Sequence, residues 1–269
     1  MHPVLFQVHG LVFNSYGIIL VLGLLAALGW LRRQPSVPDE IKAGFPSFVL
    51  VMAAGAFLGT LAEGFLTHLA QGGSARSVPW ALLLRRGGSV QVALLGGALA
   101  LAWRLKRPST FLGLADLLAP AAALFQGIAR IGCFMAGCCY GRPSGAPWAV
   151  TFTDPRARLW AGTPLGVPLA PVQLAYSAAN FLIFLGLRRF LGRTRRPGSV
   201  LGWWLVLEGL QRIVLDTWRW DPGPALGWGW PWLTENRLIS LVFIVAGAGW
   251  LAGRPRRLRA KVAPGREEA

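Results

Sequence analysis

Four charged residues of alternating sign recur within one apolar stretch of the chain, and these are Glu208, Arg212, Asp216 and Arg219. Spacings of four, four and three place them on one face of a helix that is otherwise rich in Leu, Val, Ile and Trp. An ionisable residue at bilayer depth costs about 2.5 to 3.5 kcal/mol, so each one needs a partner, a water-filled cavity or a function. Two interpretations follow: a ladder of ion pairs that joins helices, or a ligand site.

A second apolar segment contains Arg130, which has no acidic neighbour in its own sequence. Planar guanidinium groups bind phosphate through paired hydrogen bonds, so Arg130 and Arg212 together favour a pocket for a phospholipid headgroup. Glu63 and Asp116 are the other ionisable residues expected at bilayer depth.

The three thiols of the chain, Cys133, Cys138 and Cys139, are clustered in the sequence. They are too few for a disulfide framework, and their spacing matches no usual zinc or haem motif, so neither a metal nor a cofactor is predicted. Cys133 is expected inside a helix as a small hydrophobic residue. Cys138 and Cys139 lie beside Arg142, where a cation favours a reactive thiolate or a disulfide. All three are candidate reactive thiols.

The elements that carry these residues are predicted to be membrane helices. Of the 269 residues, 54% are hydrophobic and 14% are charged, whereas about a quarter of a soluble domain is charged. This composition excludes a soluble enzyme and predicts an all-α integral membrane protein with one transmembrane domain over residues 1–253. Seven spans are expected near residues 11–31, 45–70, 89–103, 111–136, 171–187, 199–218 and 237–252. Residues 254–269 form a charged tail, and the Pro-rich segment 141–170 is predicted to lie as an irregular flap at the membrane interface.

The basic residues predict the orientation of these spans. The 27 Lys and Arg outnumber 11 acids, but they lie between apolar blocks and therefore do not indicate a nucleic-acid partner. Seventeen of them fall in the loops after odd-numbered spans and eight in the loops after even-numbered spans. Because positive charge is retained in the cytoplasm, the N-terminus is predicted outside and the C-terminus inside.

The segment 116–142 has the sequence DLLAPAAALFQGIARIGCFMAGCCYGR and resembles the signature region of bacterial prolipoprotein diacylglyceryl transferases. Further elements of that family occur in order along most of the chain. They are Tyr16-Gly17, Pro171 with Gln173-Leu174, the charged stripe from Glu208 to Arg219, and Asn236 to Ser240.

The resemblance implies a multi-pass enzyme of the bacterial inner membrane that acts in lipoprotein biosynthesis. Members of the family transfer the diacylglyceryl group of phosphatidylglycerol to a lipobox cysteine in the signal peptide of a preprotein, and glycerol phosphate is released. By resemblance, the catalytic residues are Arg130, Arg212, Asp216 and Tyr16, and the substrate-binding residues are Arg130, Gly141, Arg142, Arg212 and Arg219. The resemblance implies no cofactor, and the protein is expected to be a monomer.

Several polar positions of the family are replaced in this chain. Val92 stands where the family has His or Tyr, and Cys133 and Ala136 stand where it has Asn. Cys138-Cys139 replaces Glu and an apolar residue. These replacements leave three hypotheses: the same transfer with another base, a non-catalytic phospholipid-binding or lipid-translocating protein, and a thiol-disulfide protein acting through Cys138 and Cys139.

Overall fold

The structure is a computed structural model that describes residues 3–8, 11–37, 45–70, 74, 96–97, 100, 108–194, 196–220 and 232–253. Its helices are α1 (Ser15–Arg32), α2 (Phe45–Ala70), α3 (Pro108–Ala136), α4 (Pro155–Ala161), α5 (Val172–Leu191), α6 (Ser199–Asp216) and α7 (Glu235–Ala252). Two short antiparallel pairs accompany them, β1 (Val4–Val8) with β2 (Leu11–Asn14), and β3 (Val150–Thr151) with β4 (Pro168–Leu169).

Four helices in this part of the chain are long and apolar enough to cross a membrane, namely Ser15–Arg32, Phe111–Ala136, Val172–Leu191 and Glu235–Ala252. Large apolar side chains on their outer faces are exposed, as Leu182 and Val245 show with 70% exposure each. The all-α membrane character is therefore confirmed. Most of the predicted span at residues 89–103 lies outside the described residues. The whole of the tail 254–269 lies outside them.

The predicted bounds need correction at several ends. Residues 11–14 form strand β2, and α1 begins only at Ser15 because the Asn14 side chain accepts a 2.6 Å hydrogen bond from the Gly17 amide and caps the helix. Helix α3 begins at Pro108, α5 continues to Leu191, α6 ends at Asp216 and α7 begins at Glu235. The predicted bounds of 45–70 agree with α2.

Helix α3 lies at the centre of the described bundle, where it packs against α1, α5 and α6. Buried apolar residues from α3, α5, α6 and α7 form the main core, and they are Ala119, Ala123, Ile183, Phe184, Leu187, Val200, Trp204 and Phe243. Helices α6 and α7 approach closely at Gly209 and Gly247, where an added Cβ would lie 2.6 Å from the carbonyl oxygens of Ser240 and Gly202 respectively. Small residues of this kind allow membrane helices to pack backbone to backbone.

One of the ionisable residues at bilayer depth has a structural role. Asp116 of α3 accepts hydrogen bonds from the Gly198 amide (2.5 Å) and the Leu201 amide (2.9 Å) at the start of α6. A carboxylate placed there satisfies amides that lack partners within the helix and interacts favourably with the helix dipole. Asp116 therefore fixes α6 against α3, which in turn positions the charged stripe on α6.

Candidate functional site

The charged stripe of α6 faces the interior of the bundle, as its spacing predicts. Glu208, Arg212 and Asp216 are 1%, 6% and 0% exposed. The helix ends at Asp216, so Arg219 lies just beyond it, yet its Nη1 remains 3.3 Å from Asp216 Oδ1. The four side chains therefore share one buried face, although only three of them are helical.

Tyr176 of α5 connects this stripe to Arg130 of α3. Its hydroxyl donates a 2.5 Å hydrogen bond to Asp216 Oδ1, and the Arg130 guanidinium carbon lies 4.4 Å from the centre of its ring. A cation over an aromatic face is attracted by the ring electrons. The sequence identifies Tyr176 only as a replacement for the Glu that ends the Gln-Leu-Tyr-Glu element of the family, and it therefore does not predict this role. A Tyr one helical turn after Gln173, on the same buried face, is the signal that was available.

A second set of contacts surrounds Glu208 deeper in the bundle. Arg212 Nε lies 4.0 Å from Glu208 Oε1, and the Gln211 amide donates to Glu208 and, at 3.2 Å, to Asn180 Oδ1. Asn180 in turn donates to the Tyr176 carbonyl at 2.9 Å. Asn180 and Gln211 were not singled out by the sequence.

The ion pairs of the stripe leave several buried polar atoms unsatisfied. Arg212 Nε and Nη1, Arg219 Nε and Asp216 Oδ2 have no hydrogen-bond partner among the described residues. A buried donor without a partner costs about 1 to 3 kcal/mol, so a site that only joined helices would be expected to pair them. The unpaired guanidinium donors favour the second interpretation, a ligand site, and an anion is the ligand that suits them.

The three thiols come together at the end of α3. Their sulfur atoms all lie within 4.8 Å of one another, with Cys133 buried and Cys138 and Cys139 half-buried. The chain turns back at Gly137, whose φ is +84°, and again at Cys139, whose φ is +55°. The turn is held by the flap and by α5, since Thr163 Oγ1 of the flap donates to the Gly137 carbonyl (2.9 Å) and Gln173 Nε2 of α5 donates to the Cys138 carbonyl (2.8 Å).

Backbone pairing joins this thiol turn to the end of the charged stripe. Gly141 pairs with Arg219, and the Trp220 amide donates to the Tyr140 carbonyl at 3.1 Å. The neighbouring Cys133 and Cys138 thiols, together with the Arg130 and Arg219 guanidinium groups, lower the pKa of the Cys139 thiol below its ordinary value. The thiols and the arginines therefore belong to one electrostatic environment.

The remaining predicted site residues border this region. Tyr16 lies at the start of α1, beside Gly132 of α3, and is 37% exposed. Gly141 is buried against Ala170, where a Cβ would collide with the Ala170 carbonyl oxygen. Arg142 exposes its side chain, and its amide donates to the Trp218 carbonyl at 2.9 Å. Val92 lies outside the described residues.

The flap that covers the thiol turn is more regular than its many prolines predict. Strands β3 and β4 pair within it, and α4 is capped by Asp154, whose side chain accepts a 2.8 Å hydrogen bond from the Arg156 amide. Helix α4 ends at Ala161 and is followed by the C-cap Gly162, which has a φ of +67°. The flap thereby holds Thr163 at a fixed position against the thiol turn.

Comparison with known proteins agrees with this arrangement. Residues 3–252 match the family described as prolipoprotein diacylglyceryl transferase. Similar curated proteins include the phosphatidylglycerol--prolipoprotein diacylglyceryl transferase of Clostridium tetani, which is 31% identical over 92% of this chain and 95% of its own length. A second such transferase from Clostridium perfringens is 30% identical, over 92% of this chain and 93% of its own. The corresponding protein of Dehalococcoides mccartyi is 29% identical, over 95% of this chain and 94% of its own length. The chain therefore belongs to the prolipoprotein diacylglyceryl transferase family.

Proposed function

We propose that this protein transfers the diacylglyceryl group of phosphatidylglycerol to the thiol of a lipobox cysteine in a preprotein and releases glycerol phosphate. The observation that carries the proposal is the pair of unsatisfied guanidinium atoms, Nε and Nη1, on the buried Arg212. Family membership supplies the reaction class, and the charged stripe supplies the groups that the reaction needs.

Charge balance supports an anionic lipid at this site. Arg130, Arg212 and Arg219 face Glu208 and Asp216, so the cluster contains one more guanidinium than carboxylate. A phosphodiester headgroup brings a single negative charge and oxygen acceptors for the unpaired donors. Binding such a headgroup would remove both the excess charge and the unsatisfied hydrogen bonds.

The same groups suit the chemical step. The acceptor sulfur attacks the glycerol carbon that carries the phosphate ester, a C–S bond forms, and the C–O bond breaks. The electron pair of that bond goes to the phosphate oxygen, and the thiol proton goes to a base. Preorganised guanidinium donors stabilise the charge that develops on the leaving phosphate, and the loss of one such donor costs on the order of 10² to 10³ in rate. In this proposal Arg130 and Arg212 hold the phosphate, while Asp216 and Arg219 orient them.

The proposal also includes the topology and location of the protein. The chain would cross the bacterial inner membrane seven times, with its N-terminus outside and its C-terminus in the cytoplasm, and the protein would be a monomer. The uneven distribution of Lys and Arg supports this orientation, and Gly141 and Arg142 would then border the outer mouth of the site. Tyr16 would stand beside the entering thiol.

The test is transfer from phosphatidylglycerol to a synthetic lipobox peptide by the purified full chain in detergent. Thioether product that is lost in Arg130→Ala supports the transferase. Retained binding of phosphatidylglycerol without any product would instead indicate the non-catalytic lipid-binding protein. Product formation that tolerates Arg130→Ala but requires Cys138 and Cys139 would contradict the proposed phosphate clamp.

A further inference from the structure

The thiol cluster has the dimensions of a metal site. Three thiolates that bind zinc at about 2.3 Å in tetrahedral geometry lie about 3.8 Å from one another. The sulfurs of Cys133, Cys138 and Cys139 already lie within 4.8 Å, so the longest edge needs to shorten by only about 1 Å to match that geometry. Cys133 is buried, whereas Cys138 and Cys139 are half-buried.

The backbone of the thiol turn is constrained in a way that brings these sulfurs together. Cys139 adopts a left-handed conformation with a φ of +55°, which costs a non-glycine residue on the order of 1 to 3 kcal/mol and persists where surrounding contacts impose it. Those contacts come from Thr163, Gln173 and Trp220, which donate hydrogen bonds to carbonyls of the turn. Sequence proximity and the fold of the turn therefore act together to bring the three sulfurs to one place.

Two guanidinium groups are near the cluster, since Arg130 and Arg219 both interact electrostatically with Cys139. Sequence spacing predicts no metal site, because residues 133, 138 and 139 match none of the usual zinc motifs. The tertiary arrangement nevertheless brings the three sulfurs within 4.8 Å of one another.

We propose that Cys133, Cys138 and Cys139 form a three-thiolate site for a zinc-class divalent ion, whose fourth coordination position takes the acceptor thiol of the preprotein. The second half of this statement rests on the proposed transferase function. Three protein ligands with one open position are the arrangement of catalytic zinc, and a coordinated thiol is deprotonated. The site would thus perform the deprotonation for which Val92 offers no titratable group.

At this site, the proton, the two bonds and the electron pair of the transfer can each be accounted for. The acceptor thiol binds the ion and releases its proton to solvent. Its sulfur lone pair then forms the C–S bond to the glycerol carbon while the C–O bond breaks, and the leaving phosphate oxygen receives the electron pair beside the guanidinium groups. The thioether product is a weaker ligand than a thiolate, so it dissociates and the fourth position is free again.

The first experiment is a Co²⁺ titration of the reduced full chain in detergent under anaerobic conditions. We expect thiolate-to-Co²⁺ absorption that saturates at one ion per chain and disappears when Zn²⁺ is added. The variant with all three cysteines changed to serine should show no such absorption. Absence of the absorption in reduced wild-type protein that still unfolds cooperatively on heating would overturn the metal site, and so would equal absorption in the triple variant.

The second experiment tests the acceptor thiol and separates the two proposals. A lipobox peptide should change the Co²⁺ spectrum, whereas the same peptide with serine in place of cysteine should not. An unchanged spectrum with the cysteine peptide would overturn the acceptor role. Arg212→Lys should keep the wild-type Co²⁺ spectrum while losing transfer, which supports a metal site independent of the phosphate clamp. Transfer that persists in chelated protein without a Co²⁺ spectrum would overturn the metal site and leave the transferase intact.

Discussion

Arg212 combines deep burial with more hydrogen-bond donors than its neighbours accept. Glu208 lies 4.0 Å from its Nε, and both Nε and Nη1 lack a hydrogen bond within the described residues. A guanidinium differs from an ammonium in presenting several donors in one plane. The geometry of Arg212, rather than its charge alone, is therefore the feature that should matter for a phosphate ligand.

Arg212→Lys retains the positive charge beside Glu208 and removes the planar donors. We expect the rate of diacylglyceryl transfer to fall on the order of 10² to 10³-fold, since one preorganised donor set is lost at the leaving phosphate. The assay is product formation on a lipobox peptide. Arg158→Lys is the matched control, because Arg158 is exposed on α4. Equal rates for the two variants would contradict the proposed role of Arg212.

Tyr176 is a positioning residue that holds Asp216 with its hydroxyl and Arg130 with its ring. Tyr176→Phe removes the hydrogen bond and keeps the ring, so we expect kcat to fall about tenfold, which corresponds to about 1.4 kcal/mol. Tyr176→Leu removes both contacts and should lower kcat further. The measurement is kcat and KM for phosphatidylglycerol in both variants. A Phe variant no better than the Leu variant would show that the ring has no positioning role.

At the scale of the elements, the contact between α6 and α7 determines where the charged stripe lies. One of its close points is Gly247, whose added Cβ would lie 2.6 Å from the Gly202 carbonyl oxygen and 2.9 Å from Val206 Cγ2. Both neighbours belong to α6, the helix that carries Glu208 and Arg212. Separation of the two helices would therefore be transmitted to the site.

Gly247→Ala should force α6 and α7 apart, and overpacking of this kind costs about 1 to 3 kcal/mol of stability. We expect a lower melting temperature of the protein in detergent. Gly249→Ala is the control on the same helix, since a Cβ there meets no atom within 4 Å. It should leave the melting temperature unchanged or raise it slightly, because Ala favours helix more than Gly by about 1 kcal/mol. Equal destabilisation by both substitutions would contradict the close packing.

At the scale of the whole molecule, the asymmetry of Lys and Arg predicts the orientation in the membrane. A green fluorescent protein fused after residue 269 should fluoresce, and alkaline phosphatase at the same position should be inactive, because the C-terminus is expected in the cytoplasm. Alkaline phosphatase inserted at the exposed Gly145 of the flap should be active outside. The opposite pattern would reverse the predicted topology.

Much of the helical framework and part of the site could be predicted from local pattern. The stripe on α6 follows from helical periodicity, and all three of its helical members are buried as expected. The predicted helix ends were less accurate than the predicted helices themselves. The first helix, for example, begins at Ser15 and not at residue 11, because the Asn14 side chain caps it through a single hydrogen bond. Asp116 was predicted only as an ionisable residue at bilayer depth, and the sequence did not indicate that its partners are the Gly198 and Leu201 amides at the start of α6.

Membrane character, family membership and the charged face of α6 could all be predicted without coordinates. These properties follow from composition, motif order and the period of a helix, all of which are local. The contacts of Tyr176 with Arg130 and Asp216, and the meeting of three thiols near Arg219, became visible only in the folded chain. Arg130, Tyr176 and Asp216 lie on three different helices, and helix packing brings them together. The left-handed turn at Cys139 folds the segment after α3 so that its thiols meet Cys133. No periodicity within one segment encodes that convergence.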